Sequence, residues 1–103
     1  MRIQVINFRL NDLSPEGYAS LCDELAPTFA AMPGLLAKVW LADDASGIYG
    51  GVYSWQDRAA MEAANVFAIV QGHPNFADAT SRDYGILEGP TRVTHGLIAA
   101  TVS

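Results

Sequence analysis

The chain has 103 residues, half of them apolar and 17% charged, which is material for one domain, 1–103, with a sizeable core and excludes a disordered polymer. Its formal net charge is -5, and the six basic residues (Arg2, Arg9, Lys38, Arg58, Arg82 and Arg92) form no run or stripe, so no nucleic acid partner is expected. The longest apolar stretches, Val66 to Val70 and Leu97 to Val102, are too short to cross a bilayer, no charged-then-apolar leader opens the chain, and the single Cys22 allows no internal disulfide. These features lead to the expectation of a soluble, cytoplasmic protein with no membrane partner.

Arg2 to Phe8 places Ile3, Val5 and Asn7 on one parity and Gln4, Ile6 and Phe8 on the other, which predicts a first strand apolar on both sides. Ser14-Pro15-Glu16 predicts a helix start: Ser14 can cap, Pro15 fits the first turn, and Glu16 meets the positive end of the dipole. Tyr18, Leu21, Cys22, Leu25, Phe29 and Met32 follow as one stripe, interrupted at Pro27, where a kink or a restart is expected. Pro33-Gly34 ends the helix, and Leu35 to Leu41 with Ile48 to Trp55 predict a β-hairpin around the turn Asp43 to Gly47. Gln56-Asp57 opens a second helix with Ala60, Met61, Ala64, Phe67 and Ala68 inward, ending near Gly72 because His73 precedes a proline. A short helical turn is expected through Phe76 and Ala79. A fourth strand is then expected from Tyr84, Ile86 and Leu87 on to Thr91–Thr94, broken at Gly89-Pro90, followed by an apolar tail, Leu97 to Val102, that pairs or exchanges with a partner.

The hairpin bears on assembly. One parity carries Leu35, Ala37, Val39 and Leu41, the other Leu36, Lys38 and Trp40; on the returning strand Tyr49, Tyr53 and Trp55 oppose Ile48 and Val52. A sheet with one wet face would alternate apolar with polar residues, and this one does not. Helices in so short a chain cover one face, so a second copy is expected on the other. Each aromatic left wet would forfeit up to ~4–6 kcal/mol at about 25 cal/mol per Å², which is large against a domain's marginal stability. The order β-α-β-β-α-β gives an α+β, ferredoxin-like fold with an antiparallel sheet, assembled as a homodimer.

Pro33-Gly34-x-Leu36-x-Lys38-x-Trp40, followed nine residues later by Gly50-Gly51-x-Tyr53-x-Trp55-x-Asp57, resembles the signature of the YdhR family, whose members are named as monooxygenases. The resemblance implies a dimeric α+β barrel, in which two ferredoxin-like protomers press their sheets together. It also implies relatives of several activities. Among them are antibiotic-biosynthesis monooxygenases that oxidise polycyclic phenols or anthrones without flavin or metal, haem-degrading enzymes, isomerases, decarboxylating enzymes and stress proteins. A fold reused so widely fixes activity weakly.

The expected function is cofactor-independent monooxygenation of a small aromatic or hydrophobic molecule, phenolic or polycyclic, between sheet and helices, with no metal. Such chemistry needs a dry aromatic pocket, a group that deprotonates the substrate, and donors that hold the anion. Trp40, Tyr49, Tyr53 and Trp55 can supply flat walls, with Phe67 as the aromatic of the second helix. His73 is the candidate base, since an imidazole takes either protonation state near neutrality. Lys38 and Arg92 are positive charges within apolar strand patterns, suited to a phenolate, enolate or carboxylate. In the haem-degrading relatives an Asn on the first strand, a Trp on the second helix and a His near the helix end work together; Asn7 and His73 match two of these, and the Trp is missing.

Each choice has a structural counterpart. The aromatics also suit a core or a dimer interface, His73 a surface loop, and Lys38 and Arg92 snorkelling or paired cations. Two histidines without an H-x-x-x-H spacing or a Cys/His cluster suggest no metal site. Cys22 suits a packed thiol, and Gly47-x-x-Gly50-Gly51 lies in a hairpin, where it makes room for aromatics or a bulge rather than cradling phosphate. The rival functions are a non-catalytic ligand-binding or stress-response dimer, an isomerase or lactone-processing enzyme that turns over without oxygen, and a haem-degrading relative.

Overall fold

A computed structural model describes residues 1–96; the apolar tail Leu97 to Val102 lies outside them. Its strands are β1 (Arg2–Leu10), β2 (Leu35–Asp43), β3 (Ile48–Trp55) and β4 (Phe76–Gly85), and its helices α1 (Pro15–Ala30), α2 (Arg58–Ala64), α3 (Val66–Gly72) and α4 (Glu88–Val93). The four strands form one antiparallel sheet in the order β2-β3-β1-β4, the ferredoxin-like arrangement. Among the described residues no helix is long and apolar enough to cross a membrane.

The helix starts follow local chemistry. Ser14 Oγ accepts from Gly17 N at 3.0 Å, and Asp57 Oδ1 accepts from Ala60 N at 2.8 Å, each satisfying an orphan donor of the first turn. Pro27 stays inside α1, which runs through it to Ala30. The second helix differs from the expectation. Asn65 adopts the left-handed conformation (φ 50°, ψ 44°) and divides it into α2 and α3, a backbone state that asparagine tolerates better than most residues. The break re-aims the inner stripe: Met61 serves α2, whereas Val66 and Val70 are the buried residues of α3, and Ala68 faces out.

The last quarter corrects the sequence reading more fully. Phe76 to Ala79 is not a helical turn but the start of β4, and Thr91–Thr94 is not strand, because Thr91 to Val93 lie within α4, with Gly89-Pro90 in its first turn. An early proline suits a helix, since its missing N–H would have had no partner there. β4 departs from an apolar pattern because its inward side, apolar at Phe76 and Ala79, turns polar at Ser81 and Asp83. Gln4 Nε2 donates to Ser81 Oγ at 3.1 Å, and Arg2 Nε donates to Asp83 Oδ1 at 2.8 Å. A polar ladder between β1 and β4 thus stands where apolar alternation was sought.

The core lies between one sheet face and α1 to α3. Ile6, Phe8, Tyr49, Tyr53 and Trp55 meet Tyr18, Met61, Val66 and Val70 there. Trp55 is fully buried, and its indole N–H donates to Gln4 Oε1 at 2.9 Å, so the chain Trp55–Gln4–Ser81 ties three strands together. The opposite face carries rows read directly from the register: Val39–Val52–Val5 and Leu41–Gly50–Asn7. A bulge between Leu35 and Ala37 alters the parity expected for β2. It puts Leu35 opposite Trp55 and into the helix-side core, while Ala37, Val39 and Leu41 remain on the far face.

Candidate active site

A cavity of about 210 Å³ lies between the sheet and helices α1 and α3. Tyr18, Cys22 and Phe29 line it from α1, Lys38 and Trp40 from β2, Tyr53 from β3, and His73 with Phe76 from the end of α3 onward. A larger open groove of about 500 Å³ along α1 and β2 shares Tyr18, Cys22 and Trp40 but is lined by neither Lys38 nor His73. The cavity that joins the amine and the imidazole is the candidate site.

Lys38 is the chain's single lysine, and strand alternation turns it inward beside Trp40 rather than toward water. Its Nζ stands 3.4 Å from the Phe29 ring centroid, 3.3 Å from that of Trp40 and 4.6 Å from that of Tyr53. The ring faces favour an ammonium by about 0.5–2 kcal/mol each at most. Burial opposes this and wins: desolvation brings the amine down from 10.5 to about 7. Among the described residues no carboxylate forms an ion pair with it. Gly51 makes the space, since a β-carbon there would sit 3.0 Å from Lys38 Cε and 3.2 Å from Tyr53 Cε1.

Three other polar groups of the cavity, the Tyr18 and Tyr53 hydroxyls and the Cys22 thiol, keep their protons at pH 7. Burial pushes the Tyr18 and Tyr53 hydroxyls upward, and it raises the Cys22 thiol. Tyr18 packs edge-on against Phe8, Tyr49 and Phe76, and its hydroxyl reaches the Leu41 and Gly50 carbonyls through long 3.4 Å contacts. His73 caps α3 in the extended conformation imposed by Pro74, and its ring stacks on Phe76 with centroids 4.3 Å apart. Its Nδ1 accepts from Asn75 N at 3.2 Å. The neutral ring therefore carries its proton on Nε2 and can donate there but not accept.

Of the residues singled out from sequence, Lys38, Trp40, Tyr53 and His73 meet at this cavity. Trp55 and Tyr49 are core residues outside its lining, the Tyr49 hydroxyl donating to Asp44 Oδ1 at 2.7 Å, a bond that raises its titration. Phe67 packs against the core without lining the cavity. Asn7 sits on the far face, between Gly50 and Thr80. Arg92 is not in a strand: it lies on α4, exposed, with Nη2 4.0 Å from Glu88 Oε2. Tyr18, Cys22 and Phe29 went unrecognised as site residues, although the α1 stripe held all three; helical spacing marks an inward face without distinguishing core from cavity wall. Among the described residues no group of three or more His, Cys, Asp or Glu side chains is placed to hold a metal ion.

No curated protein matches the sequence at a significant level. Among solved structures, the fold is similar to that of a variant of SnoaB, a cofactor-independent oxygenase from Streptomyces nogalater, at 17% identity over 84% of this chain and 94% of that one, with a TM-score of 0.63. It is similar also to the heme-degrader MhuD from Mycobacterium tuberculosis, at 18% identity over 84% of this chain and 96% of that one, with a TM-score of 0.66. Likenesses at such identities establish the ferredoxin-like fold. The family described as "Putative mono-oxygenase ydhR" matches residues 3–97, nearly the whole chain, and the protein belongs to it.

Proposed function

We propose that the protein is a cofactor-independent monooxygenase for a compact aromatic substrate with an acidic hydroxyl or an activated methylene, bound in the cavity between the sheet and α1. The observation that carries this reading is the Lys38 amine, held among three aromatic rings and, among the described residues, paired with no carboxylate. With its titration brought down to about 7, a substantial fraction of the amine is unprotonated at neutral pH and can take the substrate's proton. The ammonium so formed then holds the anion. Trp40 and Tyr53 give the cavity aromatic walls beside a planar ligand, and His73 Nε2–H offers a donor.

The substrate anion supplies the electrons that oxygen needs. For an anthrone-type methylene the balance closes without a reductant: one oxygen atom enters as the carbonyl and the other leaves as water. The cavity volume favours a compact ligand, because about 210 Å³ falls below the roughly 300–1,000 Å³ of sites for drug-sized molecules. That, with the absence of a tryptophan from the second helix, speaks against haem.

The same reading includes a homodimer through the far sheet face. Its support is the row Val39–Val52–Val5, with Val39 left 43% exposed and Leu41 and Ile3 half-buried on the same face. Oxygen uptake by purified, metal-free protein against a panel of hydroquinones, naphthols and anthrones tests the enzyme reading. Acceleration that is lost in Lys38→Met, with the fold retained by circular dichroism, is the expected result. No uptake across the panel overturns it.

A further inference from the structure

We propose that Lys38 is a covalent capture site for carbonyl compounds: its amine condenses with an aromatic aldehyde or ketone held in the cavity, releasing water and leaving an imine. The inference uses the cavity of the proposed oxygenase but neither oxygen nor its reduction.

Geometry carries the argument. A lysine ordinarily keeps its ammonium in water and lays its stem along apolar surface. Here the chain's single lysine does the reverse, with Nζ placed among Phe29, Trp40 and Tyr53 on the wall of a largely apolar cavity. Among the described residues no carboxylate forms an ion pair with it. The titratable groups around it are Cys22 and Tyr18 on α1 and Tyr53 on β3, all kept neutral by burial, with His73 at the end of α3. A substantial fraction of an amine so desolvated keeps its lone pair at neutral pH, the condition under which lysines become nucleophiles toward carbonyl carbon.

The step balances with no further reagent. The nitrogen lone pair forms a C–N bond to the carbonyl carbon, and the carbonyl π pair moves to oxygen, which takes up a proton. The resulting hydroxyl leaves as water while nitrogen forms the C=N bond, and the two amine protons leave with that water or return to solvent. Apolar walls slow the reverse hydrolysis by excluding water. The apolar lining of the cavity, Leu25, Val66 and Phe76 with the aromatic rings, selects an aryl group beside the carbonyl over a polar one.

The full chain, incubated at pH 7 under argon with benzaldehyde and sodium cyanoborohydride, should gain one benzyl group by intact mass, mapped by peptide digestion to Lys38. Its rate should exceed that of Nα-acetyl-lysine amide about tenfold or more, because the free-amine fraction is so much larger. Lys38→Arg should abolish this label and leave any label on the Met1 amino group. Modification confined to Met1, or labelling of Lys38 no faster than the model amide, overturns the proposal. Should the arginine variant misfold, the mapped site and rate in the unaltered protein decide alone. Absence of oxygen uptake leaves this result untouched, and a failure of labelling leaves the oxygenase reading in place.

Discussion

Gly51 stands directly across the sheet from Trp40, and a side chain there would press on the Lys38 stem at 3.0 Å. The glycine is therefore a condition of the lysine's inward placement, and its neighbour Gly50 answers a different need. Gly50 has φ 143°, and a β-carbon on it would collide with the Ile6 carbonyl.

Two alanine substitutions separate these roles. Gly51→Ala is expected to destabilise by about 1–2 kcal/mol through overpacking, while weakening ligand binding several-fold as Lys38 and Tyr53 shift. Gly50→Ala is expected to cost about 3 kcal/mol or more, since backbone strain and the clash add. Urea unfolding beside a binding titration distinguishes them; equal stability losses with equal binding would refute the assignment.

Lys38 makes stability depend on pH in a direction fixed by its lowered titration. Between about 7 and 10.5 the folded protein holds fewer protons on Lys38 than the unfolded chain, so stability rises with pH across that window. Below pH 7 the amine is charged in both states and the burial penalty is complete. Tyr18 and Tyr53, raised above 10.0, act oppositely: their contribution is lost as pH climbs beyond the ordinary tyrosine range. Lys38→Met is expected to be more stable than the parent by about 1–3 kcal/mol at pH 6, discounted for partial exposure. The gap should narrow toward pH 9, and a gap independent of pH in denaturant titrations would contradict it.

The two tryptophans are expected to behave differently. Trp55→Phe removes the indole donor to Gln4 and should cost about 1–3 kcal/mol of stability while leaving ligand affinity unchanged, because Trp55 is core and lines no part of the cavity. Trp40→Ala should weaken binding of a planar aromatic ligand by tenfold or so and restore an ordinary lysine titration by opening the cage.

Arg92→Ala and Asn7→Ala are expected to leave cavity ligand affinity within about twofold, since one lies exposed on α4 and the other on the far sheet face. A larger loss from Arg92→Ala in the same titration would place the C-terminal region at the site after all.

Val39→Asp is expected to weaken self-association at least about tenfold, roughly 1.4 kcal/mol, by burying an unpaired carboxylate in the proposed interface. Sedimentation across a concentration series measures it. A monomer at all concentrations before any substitution would remove the dimer.

The sequence by itself determined those features that depend on local periodicity. Parity along β1 and β3, the stripe on α1, the Ser14 and Asp57 caps and the PG–K–W to GG–Y–W–D spacing gave the ferredoxin-like order and the family. Three things were decided only by tertiary structure. The extent of β4, expected only from Tyr84 onward, was hidden because two of its inward residues, Ser81 and Asp83, answer Gln4 and Arg2 from a strand some 80 residues away in sequence, as the register between Arg2 and Gly85 shows. The αL turn at Asn65 re-aimed α3, a backbone state that apolar spacing does not encode. Lys38 became chemically unusual only because Phe29 from α1 and Tyr53 from β3 close around it beside Trp40. Periodicity is a property of neighbours along the chain, whereas desolvation is a property of neighbours in space, and the character of the site lies with the second.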